Sequence, residues 1–526
     1  MPTKATWMTR QAGILLPVSS LPSPYGIGTL GQAAREWVDF LAAARQSCWQ
    51  VLPMGPTSFG NSPYQSYSAF AGDALYIDLD LLCEDGLLGG KRLKKINWNG
   101  EAQRGALARV DYDAVRAGRG PLLRKAYENF KKPKALGRFR KENAAWVEDY
   151  ALFMALKEEH GGTPWYQWEE PLRLREPGAM KAARKALEKE LGFHVFTQYI
   201  FFKQWEKLKK YAGKRGVKII GDAPIYVSGD SADVWAHPEL FQLDENNLPT
   251  AVAGCPPDAF SEDGQLWGNP LYRWDVMGED GFGWWISRLR ANLEMFDILR
   301  IDHFRGFESY WSIPYGDETA KNGKWCKGPG MKFIKAVNQA LPGAAIIAED
   351  LGMLTPGVHK LLAQSGYPGM KVLQFAFSAG EESSYLPHNL PKNAVVYTGT
   401  HDNDTTLNWL DTAAPADLEK AQDYLGFAAA GEQGVWSFIR GAMTSVCDLC
   451  VIPMQDYLCL GPEARVNTPS TVGPENWSWR MEKGACTKDL AKKIARLTVI
   501  SGRAEMEDTH DNKRRAGKKS GRKKSE

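Results

Sequence analysis

Cysteine is scarce: eight residues in 526 cannot staple a fold of this size with disulfides. Cys447 and Cys450 form a C-x-x-C, but no second pair or histidine pair lies at zinc spacing, so the thiols are read as reduced core residues. Long apolar runs are missing too. Ala151–Leu156 and Ala344–Ala348 are typical, far short of the ~20 residues a membrane helix needs. The N-terminal apolar stretch breaks at Pro17 with no small-residue cleavage site after it, so no secretory signal and a cytoplasmic location are expected. The histidines contain no H-x-x-x-H pair, and the D-x-D-x-D-G spacing of a calcium loop is absent. No metal and no cofactor are expected. Internal repeats are lacking as well.

What is present is an ordinary globular composition, 44% hydrophobic and 24% charged, enough for two to four domains or one large α/β domain with insertions. The net charge of +3 hides an asymmetry. Eight Lys or Arg and no acid fall between Lys513 and Lys524; without them and Glu526 the body carries −4. A Gly/Ser/Lys/Arg run buries too little apolar surface to fold, so residues 503–526 are read as a disordered basic tail. Nothing argues for a nucleic-acid or membrane partner, and the oligomeric state is left open.

Short apolar runs ending in polar or Gly/Pro turns predict buried strands. They fall at Gly13–Pro17, Cys48–Pro53, Val217–Asp222, Phe296–Asp302, Ala345–Glu349, Val372–Phe375, Ala394–Thr398 and Leu449–Pro453. Helical periodicity separates them, as at Gly31–Ala44, where Ala33, Trp37, Phe40 and Leu41 share a face. Alternating strands and helices indicate a parallel sheet, and eight of them an α/β (β/α)8 TIM barrel spanning residues 1–500. The wide gap between the second and third strands is rich in Lys, Arg, Ala, Leu and Glu, which predicts a largely helical insertion over 86–206. A second stretch, Tyr226–Asp275, is full of Pro, Gly and Asp and reads as a long irregular functional loop.

Barrel chemistry lies at the C-terminal strand ends. Three strands deliver acids there: Asp222, Asp302, and Glu349 with Asp350. A fourth leads to His401, Asp402 and Asp404. With Arg300 and His303 beside them, these predict an acidic pocket. Nineteen Trp and nineteen Tyr, several in Gly/Pro-rich loops (Trp235, Trp267, Tyr272, Trp477, Trp479), offer flat faces that suit sugar rings. Paired carboxylates among aromatic loops suggest glycoside chemistry. Arg300 shares a strand face with Asp302 and would keep it ionised as nucleophile, leaving Glu349, after an apolar strand, as the acid.

The residues then become recognisable. GILLPVSSLPSPYGIGTLG near the start is followed by WQVLPMGPTSFGNSPYQSYSAFAGD (49–73), GDAPIYVSGDSADVW (221–235) and PPDAFSEDGQLWGNPLYRW (256–274). LRIDHFRGFESYW (299–311), IIAEDLG (346–352), YTGTHDNDT (397–405) and RVNTPSTVGPENWSWR (465–480) complete the series. In order and over nearly the whole length, these blocks resemble the 4-α-glucanotransferases, or amylomaltases, of the α-amylase clan. The resemblance implies Asp302 as nucleophile, Glu349 as acid/base and Asp402 as the transition-state stabiliser. It implies substrate-binding roles for Arg300, His401, Asp222, Tyr64, Ser62, Trp267, His303, Asn269 and Pro256, with the Gly254–Asn269 loop over the acceptor side. It also implies retention of configuration, which goes with carboxyl groups about 5–5.5 Å apart.

The implied reaction moves a segment of an α-1,4-glucan donor to the 4-hydroxyl of an acceptor glucan or glucose. Three departures stand out: Cys255 in AGCPPD, where the family usually has an aliphatic residue, the GPENWSWR wording near Trp477, and the basic tail after about Ser501, which has no family counterpart. Two other readings share these residues, an α-glucan hydrolase and a catalytically inactive glucan-binding protein. Composition and spacing alone do not separate the three.

Overall fold

In the computed structural model, residues 7–90, 93, 96, 98, 109–257, 261–352, 354–378 and 383–505 are described. The basic run at 513–524 lies outside them. Eight short parallel strands form one sheet: β1 (Gln11–Leu15), β2 (Cys48–Gln50), β3 (Lys218–Ala223), β6 (Ile298–Ile301), β9 (Ile346–Ala348), β10 (Gly369–Val372), β11 (Ala394–Tyr397) and β12 (Leu449–Pro453). Their order is β10-β11-β12-β1-β2-β3-β6-β9. The two ends meet where the Ala348 N–H donates to Pro368 O at 2.9 Å, just before β10, so the sheet closes into the (β/α)8 barrel. These strands are buried almost throughout, which explains why they read as continuous apolar runs.

Side chains fill the barrel. Leu15, Ile220, Ile298, Ile347, Val395 and Val451 pack together in its interior, with Met8 and Trp7 joining from the residues before β1. Outside, the helix Gln32–Ala43 buries Ala34, Trp37, Val38, Phe40 and Leu41. Gly221 sits where a Cβ would lie 2.0 Å from the Phe296 ring, so only glycine lets the residue before Asp222 pack this closely. Between β2 and β3 come the helices Tyr112–Asn129, Pro133–Glu142, Val147–Glu159, Pro177–Ala186 and Glu188–Lys214. The last of these buries Phe193, Phe196, Ile200, Phe201 and Trp205 and leads directly into β3. None of the described helices is long and apolar enough to cross a membrane.

Two expectations are corrected. The strand predicted at Val372–Phe375 starts three residues earlier, and Leu373–Ala376 winds into a 3-10 turn. Its start is pinned by Asp350, which accepts from the Met370 N–H at 2.6 Å and pairs with Lys371 Nζ at 3.1 Å. A lysine in the strand masked it in the apolar pattern. The stretch Tyr226–Asp275 is not irregular throughout. It contains β4 (Ala251–Cys255) and β5 (Gln265–Pro270), which join β7 (Ser309–Pro314) and β8 (Lys324–Lys327) in an antiparallel sheet of order β5-β4-β7-β8. Gly and Pro within β5 hid it, and β7 pairs with β4 across some 60 residues of chain, a pairing no local pattern announces.

Candidate active site

At the C-terminal rim of the barrel, Asp222 lies within β3, Arg300 within β6, and Asp302 and Glu349 directly after β6 and β9. Parallel strands in register place them side by side: Asp222 pairs with Arg300, and Arg300 with Ile347. Arg300, 3% exposed, is the hub. Its Nη1 donates to both Asp222 oxygens at 2.8 and 2.7 Å, and its Nη2 meets Asp302 Oδ1 at 2.8 Å. Its Nε donates to the Met370 thioether at 3.2 Å. Burial works against the guanidinium charge, but Asp222 and Asp302 outweigh it and drive the pKa upward. Tyr64 Oη donates to Asp222 Oδ2 at 2.8 Å, so that buried carboxylate is saturated by protein donors.

Glu349 is held differently. Its Oε2 accepts from the His303 N–H and its Oε1 from the Leu351 N–H, both at 2.6 Å. His303 adopts a left-handed backbone (φ 49°, ψ 49°), the turn in which its N–H meets that carboxyl. Burial, followed by the charge of Asp302, pushes the Glu349 pKa up to about 8, against the pull of Arg300 and the two N–H donors. A carboxyl still protonated at neutral pH can donate that proton. Asp302 keeps 28% of its side chain open to the cleft. The two acids thus differ as acid and nucleophile must.

His401 and Asp402 follow β11. His401 Nε2 lies 3.2 Å from Asp402 Oδ2, and Asn467 Nδ2 donates to Asp402 Oδ1 at 2.7 Å. Burial would raise the Asp402 pKa, yet His401, Asn467 and Arg300 together bring it to about 2. Burial likewise opposes a charge on His401, and Asp402 raises its pKa regardless. Tyr64 stacks on the His401 ring at 5.2 Å and 13°, and Trp477 flanks both. Trp267 meets the His303 ring edge-on at 4.9 Å; burial drops that imidazole to about 4, so it is neutral.

The geometry therefore gathers Asp222, Arg300, Asp302, His303, Glu349, His401, Asp402, Tyr64 and Trp267 of the sequence-predicted residues. Ser62 and Asn269 are engaged with the polypeptide instead. Ser62 Oγ accepts from the Tyr64 N–H at 3.3 Å, orienting the stacking ring. Asn269 donates to Val227 O at 2.8 Å and accepts from Gln65 at 3.1 Å, joining β5 to the loop after β2. Pro256, half-buried, begins the turn after β4, next to the undescribed 258–260. Sequence reasoning passed over Asn467 and Arg465, whose Nη2 donates to Asp402 O at 2.9 Å. The opening RVN of the 465–480 block was their only signal. Among the described residues no group of three or more His, Cys, Asp or Glu is arranged to hold a metal ion.

The chain matches the 4-alpha-glucanotransferase family, glycoside hydrolase family 77, over residues 16–487. It is 49% identical to a 4-alpha-glucanotransferase of Thermus thermophilus and 47% identical to one of Clostridium butyricum; each alignment covers 93% of this chain and all of the relative. Among solved structures it is similar to an amylomaltase from Streptococcus agalactiae in complex with acarbose. The TM-score is 0.91 at 40% identity, covering 94% of this chain and all of that one.

Proposed function

The chain belongs to the 4-alpha-glucanotransferase family and is a 4-alpha-glucanotransferase, and from that premise we propose how its own residues carry out the transfer. Glu349 gives its proton to the bridging oxygen of an α-1,4 bond while Asp302 attacks the anomeric carbon. The carbon–oxygen bond breaks, the reducing-end fragment leaves with the proton, and the donor segment stays as an ester on Asp302. The 4-hydroxyl of an acceptor glucan or glucose then attacks the ester, ionised Glu349 takes its proton, and Asp302 departs as carboxylate. Asp402, charged and paired with His401, supports the positive charge at the anomeric carbon and binds sugar hydroxyls. Asp222, Arg300 and Tyr64 complete the wall around that ring, and Trp267 stands on the acceptor side.

The observation that carries this reading is the pairing of Asp302, ion-paired to Arg300 at 2.8 Å, with Glu349, whose pKa is pushed up to about 8. Water competes with the acceptor for the ester, so transfer requires the acceptor to exclude it, which we assign to the Cys255–Gly264 stretch. The proposal includes the organisation of the chain: a catalytic barrel over 1–500, a helical insertion over 86–206 walling the cleft, and a basic tail over 503–526. It also places the enzyme in the cytoplasm.

The test is incubation with maltotriose alone, with products resolved by length and glucose quantified. A ladder of longer maltooligosaccharides plus glucose at constant reducing ends is expected. Shorter sugars with rising reducing ends would make the chain a hydrolase, and unchanged maltotriose a glucan-binding protein.

A further inference from the structure

The loop from Thr398 to Thr405 joins β11 to the helix Thr406–Thr412 and carries His401 and Asp402. Its tip is stiffened from within. The Thr400 N–H and hydroxyl both donate to Asn403 Oδ1, at 2.9 and 2.8 Å, and the Asp402 N–H donates to Thr400 Oγ1 at 3.3 Å. Arg465 and Asn467 hold the same tip from the far side. A stiff tip moves as its neck moves, and the neck is where Thr398 and Thr406 stand.

We propose that Asp456 is a positioning residue for the transfer reaction, closing the neck of the loop that carries His401 and Asp402. Asp456 lies in the short helix Met454–Tyr457 directly after β12, is 2% exposed, and serves no role in the proposed mechanism. One carboxylate takes a donor from each end of the loop. Its Oδ2 accepts from Thr398 Oγ1 at 2.5 Å and Thr406 Oγ1 at 2.7 Å, and its Oδ1 from the Thr406 N–H at 2.8 Å. All three donors are neutral, so the contact acts by direction and count rather than as an ion pair. Gln374 Nε2 adds a strut to Asp404 O at 3.0 Å from the turn after β10. The inference rests on the roles given above to His401 and Asp402, because Asp456 acts through them.

A side chain two steps from the sugar matters here because reacting groups tolerate little displacement: an error of about 1 Å can cost about a hundredfold in rate. Alanine at 456 leaves three buried donors without an acceptor and frees the neck. Asparagine keeps the geometry without the charge. Its oxygen can take the Thr406 N–H while its amide donates to the two threonine hydroxyls, which accept as readily as they donate.

The experiment compares Asp456→Ala, Asp456→Asn and a Thr398→Val/Thr406→Val double variant with wild type, following kcat and KM on maltotriose and the titration of the His401 imidazole by NMR. In Asp456→Ala we expect kcat to fall about 30-fold with KM within about twofold. The His401 imidazole, followed by NMR, should titrate at lower pH than in wild type, because a displaced Asp402 no longer raises its pKa; the other charged groups that face it are Arg300 and Asp222. The alkaline limb of activity, which belongs to Glu349, should stay in place. Asp456→Asn should recover kcat to within about threefold, together with the wild-type His401 titration. A folded Asp456→Ala variant with wild-type kcat and wild-type His401 titration would overturn the proposal. So would an Asp456→Asn variant as impaired as the alanine one. Should Asp456→Ala not fold, the double variant decides: about a fivefold or greater loss of kcat at unchanged KM supports the positioning role, and wild-type kcat refutes it. The wild type's own product ladder tests the transferase reading separately.

Discussion

Replacing Glu349 with Gln removes an acid whose pKa is pushed up to about 8, and the consequence for stability has a definite sign. The native state keeps a proton on Glu349 that an unfolded chain releases near 4.5. Its contribution is therefore fully present below pH 4.5, declines between 4.5 and about 8, and is gone above that. At about 1.4 kcal/mol per pH unit, the interval amounts to about 5 kcal/mol. The substituted glutamine would carry no charge at any pH. It would also offer a single acceptor oxygen to the N–H groups of His303 and Leu351, a pH-independent cost of about 1 kcal/mol.

Wild type should thus be slightly the more stable below pH 4.5, the two should cross as pH rises, and Glu349→Gln should be the more stable by about 4 kcal/mol at pH 9. Paired denaturant titrations or melts across pH 4.5–9 read this directly, since the difference between the two proteins cancels the titrating groups that do not interact with Glu349. Transfer activity supplies the counterpart. The variant should be inert, and the alkaline limb of wild-type kcat/KM should fall near pH 8, where the acid loses its proton. A stability difference that stays flat from pH 5 to 9, or an alkaline limb near pH 5, would refute the assignment of Glu349 as the protonated acid.

Asp302→Asn should cut turnover at least about a thousandfold with the fold intact by circular dichroism, and near-normal activity in a folded variant would remove Asp302 as nucleophile. Arg300→Lys replaces a fork that spans Asp222 and Asp302 with one point charge; unfolding titrations should show a loss of about 3 kcal/mol or more as a buried carboxylate loses its partner, and an unchanged midpoint would contradict the hub role. Trimming Cys255–Gly264 should raise the share of hydrolysis among maltotriose products, measured as reducing ends per glucose released; an unchanged ratio would mean that another element excludes water.

The sequence by itself determined the barrel and the gathering of acids at its rim. Parallel strands covered on both faces are apolar throughout, so seven of the eight announced themselves at about the right place. An acid at a strand's C-terminal end is at the barrel's working face by topology, so Asp222, Asp302 and Glu349 were legible as one site before any contact was known. The assignment of Arg300 to Asp302 needed only the two-residue period of a strand.

Only the tertiary structure decided the rest. The β10 start depends on Asp350 reaching Met370 and Lys371, a contact across a turn and a helix that makes a lysine-containing segment the strand. The sheet β5-β4-β7-β8 depends on antiparallel partners far apart in the chain, and such strands have no helical or apolar signature of their own. Asn467, Arg465 and Asp456 act on Asp402 or its loop from about 50 to 65 residues downstream. The Glu349 pKa also lay beyond the sequence: an acid after an apolar strand identifies a candidate, but its burial, the nearness of Asp302 and the two N–H donors set the balance. Local pattern records which side chains a segment must hide. Which distant group meets them is settled when the chain closes on itself.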